Sequence, residues 1–141
     1  MLRLFPLLLL PVIFYNLIAL VGGGFLHYDL QDLFNYHSTI KMFSGEKWRF
    51  SGGDVLVLIT LGLLFVDTVK ATRTTSGEIS RHGLSMLTFS AALIEFITLK
   101  GFATTPFFFI TVMCLFDVIA GYTISIVAAE HDLGLGRAGT D

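Results

Sequence analysis

Cysteine is nearly missing from this chain: Cys114 is the only one in 141 residues. That excludes an intrachain disulfide and, with few other ligands about it, a zinc site. Charged residues are scarce as well, at 14%, less than a water-soluble domain of this size needs to cover its surface. Nor is there a cationic excess. Nine Lys and Arg face eleven Asp and Glu for a net charge of −2, with no basic run, which disfavours nucleic-acid binding and a polybasic lipid patch. Walker loops, zinc-protease motifs, nucleophile elbows and dinucleotide fingerprints are absent. The tail's Gly134-Leu135-Gly136-Arg137-Ala138-Gly139 matches a dinucleotide fingerprint by letter only, since no strand precedes it and no helix is expected to follow. No helix carries the several aspartates with a nearby arginine that a membrane phosphotransferase would need. Internal repeats and low-complexity tracts are also missing.

What is present is apolar residue, 54% of the chain, with mean hydropathy +0.77. Four runs are long enough to cross a hydrocarbon core of about 30 Å as helices. Being continuously apolar rather than alternating, they are not barrel strands. The expected fold is therefore all-α: a single polytopic integral membrane domain, a four-transmembrane-helix bundle with spans at about 4–24, 53–72, 83–101 and 105–127. The polar, glycine-rich tail 128–141 is expected to fray. A secretory leader also begins with a basic residue and an apolar stretch. The length of the first run, its Pro6, Pro11 and Asn16, and the lack of an Ala-x-Ala site favour a retained helix. With four spans, Arg3, Lys70, Arg73, Arg81 and Arg137 share one side, and Lys41, Lys47, Arg49 and Lys100 the other. The short loop carrying Lys70, Arg73 and Arg81 points to a cell (inner) membrane with both termini cytoplasmic.

The outer loop 25–52 is the one sizeable extramembrane piece. Leu26, Leu30, Leu33 and Phe34 fall on one helical face, which predicts a short interfacial helix. The second half reads as a small β-hairpin turning at Gly45, or as an irregular loop anchored by Trp48. The Gly22-Gly23-Gly24 run is read as the terminator of the first helix.

Within the spans, conspicuous polar residues align with small ones. Asn16 lines up with Ala19 and Gly23; Asp67 with Thr60 and Ala71; Ser85, Thr88, Ala92 and Glu95 form one stripe; Cys114, Asp117, Gly121 and Ser125 another. These spacings keep each set on one side of a helix, and small residues let helices approach closely. An inward-facing polar seam follows, with Asp117, Glu95 and Asp67 as candidate functional residues and Asn16, Thr60, Ser85, Thr88, Cys114 and Ser125 in support. A charge at a helix centre costs at least roughly 2.5–3.5 kcal/mol. Asp117 is thus expected to be protonated or answered by a partner group. Neighbouring acids are expected to be separated in depth by about 5–8 Å. The four histidines read as interfacial residues and Cys114 as a packing residue.

These features favour a non-catalytic accessory or assembly subunit packed on a larger membrane complex. The alternative is a proton-linked transporter or channel subunit using the carboxylates, and a membrane enzyme acting on a lipid or quinone ranks third. No cofactor is expected. The expected partners are the lipid bilayer and other membrane subunits or further copies of the chain, and not nucleic acid.

Overall fold

The computed structural model describes residues 6–25, 32, 34, 36–72 and 78–137, apart from the side chains of 24–25, 78–81 and 128–137. Helix α1 spans Leu9–Ala19. It starts later than hydropathy suggests because Pro6 and Pro11 shape its entry. The Pro6 carbonyl accepts from the Leu9 N–H at 3.1 Å, closing a turn ahead of the helix. Pro11 then falls in the first helical turn, where a missing N–H has no intrahelical partner to lose. The glycine run does not stop the helix; Leu20–Phe25 continues it as a π-helical turn, a form that occurs as single turns within α-helices.

Strands β1 (His37–Lys41) and β2 (Lys47–Ser51) form an antiparallel hairpin with Ile40 opposite Trp48. Gly45 turns the chain at φ +89°, a left-handed conformation natural to glycine. The hairpin expectation therefore holds over the irregular-loop alternative. Most of the expected interfacial helix lies outside the described residues; Asp32 and Phe34 are described and are helical.

Helix α2 (Gly52–Ala71) follows β2 with no intervening residue. Ser51 and Asp54 build a capping box. The Asp54 N–H donates to Ser51 Oγ at 3.2 Å, and the Ser51 N–H donates to Asp54 Oδ2 at 2.8 Å, satisfying two otherwise orphaned donors. Helix α3 runs Glu78–Thr98, and Gly101 at φ +86° starts the turn to α4 (Thr105–Arg137). Thr104 caps α4, and Pro106 sits in its first turn, where it is tolerated. Contrary to expectation, α4 does not fray at residue 127 but stays helical to Arg137. Residues 128–133 (Ala-Ala-Glu-His-Asp-Leu) contain no proline and mix strong with middling helix formers, enough to carry the turns through two glycines.

Four α-helices thus occur among the described residues, accompanied by one two-stranded sheet. Two of them, Gly52–Ala71 and the Thr105–Val127 part of α4, are long and apolar enough to cross a membrane. Leu9–Gly23 and His82–Thr98 are apolar but shorter: the prolines delay α1, and α3 begins in the polar Glu78-Ile79-Ser80-Arg81-His82. Helices α1 and α2, and likewise α3 and α4, run antiparallel. Leu7, just before α1, meets Asp67 near the end of α2, and Phe96 near the end of α3 meets Phe108 near the start of α4.

The core has an aromatic end. The fully buried Tyr15 ring stacks on Phe34 at 5.0 Å and packs on Phe102 and Phe107 at 5.3 and 4.5 Å. Its hydroxyl donates to the Gly101 carbonyl at 3.2 Å and shares a 2.7 Å hydrogen bond with Thr104 Oγ1. One side chain therefore binds α1 to the α3–α4 turn. Beside it, α2 and α4 approach so closely that a Cβ on Gly53 would lie 2.5 Å from Pro106 Cγ.

Candidate functional site: polar ties between the helices

The stripes expected from spacing face inward except at Gly23, which is exposed with nothing within 4 Å of it. Thr60, Asp67, Ser85, Thr88, Ala92, Cys114 and Asp117 are buried, while Asn16, Glu95 and Ser125 are half-buried. They do not behave as one seam. Thr60 Oγ1 donates to the Leu56 carbonyl at 2.7 Å and Thr88 Oγ1 to the Leu84 carbonyl at 2.9 Å. These hydroxyls fold back on their own helices, as threonine in an apolar helix commonly does. Cys114 packs in the core cluster.

The acids are tied to donors from elsewhere in the bundle. Asp67 Oδ2 accepts the Leu7 N–H at 2.8 Å, which joins α2 to the entry of α1. Glu95 Oε2 accepts from Asn16 Nδ2 at 2.8 Å, joining α3 to α1, while the same nitrogen lies 3.0 Å from the Val12 carbonyl. Asp117 Oδ2 accepts from Ser85 Oγ at 2.7 Å, joining α4 to α3. A buried carboxylate left without donors is costly. Here each receives one from another segment, so the groups that burden the interior also fix how the helices pack.

Of the expected separations of about 5–8 Å between neighbouring acids, one is much larger and the other is of about that size. Ser85 and Glu95 are ten residues apart on α3, so Glu95 and Asp117 are separated along that helix by about 15 Å. Asp67 and Asp117 differ in level by only about 5 Å. Asp67 is fourteen residues beyond Gly53 and Asp117 eleven beyond Pro106. From the close contact of Gly53 with Pro106, these are rises of about 21 and 16 Å. Their end of the bundle is polar, and the Tyr15 end is aromatic.

His82 belongs to the polar end, which its reading as an ordinary interfacial residue missed. Its Nε2 lies 2.7 Å from Ser125 Oγ, and its ring stacks on Tyr122 at 5.4 Å. The imidazole fills the space over Gly121, where an added Cβ would come within 2.5 Å of it. A signal was available: His82 stands three residues before Ser85 and extends that stripe by one step. Tyr15 escaped notice because an aromatic among aliphatics looks like packing, and its hydrogen-bond partners are distant in sequence.

Chemically, this arrangement can hold helices in register. At the Asp117 end it also gathers hydroxyls, an imidazole and carboxylates capable of exchanging protons. Among the described residues, no group of three His, Cys, Asp or Glu is placed to hold a metal ion. The Asn16–Glu95 tie has a measurable expectation. In a double-mutant cycle of Asn16→Leu and Glu95→Leu, read by unfolding in mixed micelles, the coupling should be about 0.6–1.7 kcal/mol. Strict additivity would mean that the two side chains do not act on each other. Compared with known family models, curated proteins and solved structures, the chain matches none.

Proposed function

We propose that this chain is a four-span integral membrane protein with a structural role, an accessory or assembly subunit that packs beside a larger membrane complex. The observation that carries the structural role is the tying of Asp67, Glu95 and Asp117 to donors on other segments of the same chain. Their carboxylates serve as fasteners. Membrane placement is supported by burial: only 22% of the apolar stretch of α2 and 44% of that of α4 is buried inside the protein. The core helix of a water-soluble protein would be mostly covered. Phe65 and Ile97 are each 70% exposed, which suits contact with acyl chains or with neighbouring apolar helices. Between α1 and α2 an apolar groove of about 430 Å³, with Phe14, Leu17, Leu56 and Ile59 among its walls, offers a seat for a partner's apolar side chains.

Gentle detergent extraction followed by native mass spectrometry tests this reading. Co-purification with a larger membrane assembly is the expected result, and a monodisperse monomer or homo-oligomer would overturn it.

Proton-linked transport is the second reading, favoured by the buried Asp67 and Asp117 lying about 5 Å apart in level, with Ser85, His82 and Ser125 on the neighbouring turns. Asp117→Asn separates the two. The amide keeps an oxygen for the Ser85 hydroxyl, so a fastener should lose no more than about 1.5 kcal/mol and keep its association with the partner. Tenfold or greater loss of proton flux in vesicles, with association unchanged, would instead select transport.

A further inference from the structure

The hairpin sorts its residues by chemistry. With strand side chains alternating across the sheet and Ile40 paired to Trp48, one face carries Ile40, Met42, Trp48 and Phe50. The other carries Lys41, Lys47 and Arg49, with Lys41 directly opposite Lys47. The sequence shows no basic run because these cations are interleaved with apolar residues; pairing the strands collects them on one face. All three cations are exposed, Trp48 is 50% exposed, and Phe43 at the turn is fully so. Glu46 is the one acid in residues 36–51, and it belongs to the turn, on the same side of the sheet as Trp48.

Such an object is unfavourable in water. A lone two-stranded sheet is marginal without cover on an apolar face, and like charges directly opposite each other repel. Both problems are solved in one place. The hairpin joins α2 directly through Ser51, the α2 cap, and so sits at the end of a membrane-length helix. The interfacial zone of a bilayer is about 5–7 Å deep on each side, enough for a single-layer sheet with hydrocarbon beneath it and phosphates around it. Trp and the long cationic side chains suit that layer.

We propose that the hairpin lies in the headgroup layer. Its Ile40–Trp48 face enters the hydrocarbon, and Lys41, Lys47 and Arg49 bind the phosphates of anionic phospholipids. This rests on the membrane-spanning reading but not on the accessory role.

Trp48 is the only tryptophan in the chain, so its fluorescence reports on the hairpin alone. The full chain is reconstituted in phosphatidylcholine vesicles with and without phosphatidylglycerol, and one lipid at a time carries bromine high on the acyl chain. Brominated lipid should quench Trp48, and aqueous acrylamide should quench it poorly. Phosphatidylglycerol should be enriched around it at least about fivefold, the effect of one cation near an anionic surface being roughly fivefold. In the Lys41→Gln/Lys47→Gln/Arg49→Gln variant, this preference should fall to about one while quenching by lipid persists. The lipid comparison on the unaltered chain needs no variant, so misfolding of the triple substitution leaves the test intact. Trp48 open to acrylamide and untouched by brominated lipid in inserted protein would overturn the proposal and leave the spanning reading standing. Lipid quenching without preference would overturn the binding of anionic phospholipids by Lys41, Lys47 and Arg49. Failure of the chain to resist alkaline extraction from vesicles would overturn both the spanning reading and this proposal.

Discussion

Tyr15→Ala is expected to destabilise the bundle by about 3–5 kcal/mol, the usual range for removing a fully buried large aromatic. Three rings lose their common neighbour, and the turn that carries Gly101 and Thr104 loses its link to α1. Tyr15→Phe separates the two contributions. It keeps the packing and removes only the hydroxyl, at a cost of about 1 kcal/mol, although Thr104 can still cap α4 through its contact with the Phe107 N–H. Unfolding in mixed micelles of rising SDS content measures both. An Ala variant no less stable than the parent would mean that the aromatic end does not hold the helices together.

Much of this organisation was legible in the sequence because it follows from one-dimensional patterns. Continuous apolar runs mark the helices, and the spacing of Ser85, Thr88 and Ala92 marks the buried side of α3. The alternation in Lys47-Trp48-Arg49-Phe50 together with Gly45 marks the hairpin. What could not be read was pairing. That Asn16 would reach Glu95, or Ser85 reach Asp117, depends on the rotation and offset of helices distant in sequence, and no local propensity encodes either. The depth of Glu95 relative to Asp117 was misjudged for the same reason: it depends on the offset of α3 against α4, which Ser85 meeting Asp117 sets and hydropathy edges do not. The tail misled in another way. Glycine and charge suggested coil, yet a helix already nucleated extends at little cost per residue, so α4 runs on past its apolar part.

The two close helix contacts lead to the last expectation, and they should respond differently to the same substitution. Gly53→Ala places a methyl 2.5 Å from Pro106 Cγ. The proline ring is fixed in the first turn of α4 and cannot swing aside, so the two helices must separate at the end where Ser51 and Asp54 cap α2. A cost of about 1–3 kcal/mol follows, typical of overpacking. Gly121→Ala meets the His82 ring at the same distance, but that ring can rotate away. It would give up its Ser125 hydrogen bond and its stacking on Tyr122, at a cost of about 1 kcal/mol. Unfolding in mixed micelles should therefore rank Gly53→Ala as the more damaging change. NMR of labelled histidine should show His82 losing the ring-current shift of Tyr122 in Gly121→Ala alone. Should the two variants prove equally mild, with His82 unmoved in both, then α2 and α4 do not meet at Gly53 and Pro106. The levels assigned to Asp67 and Asp117 from that contact would fall with it.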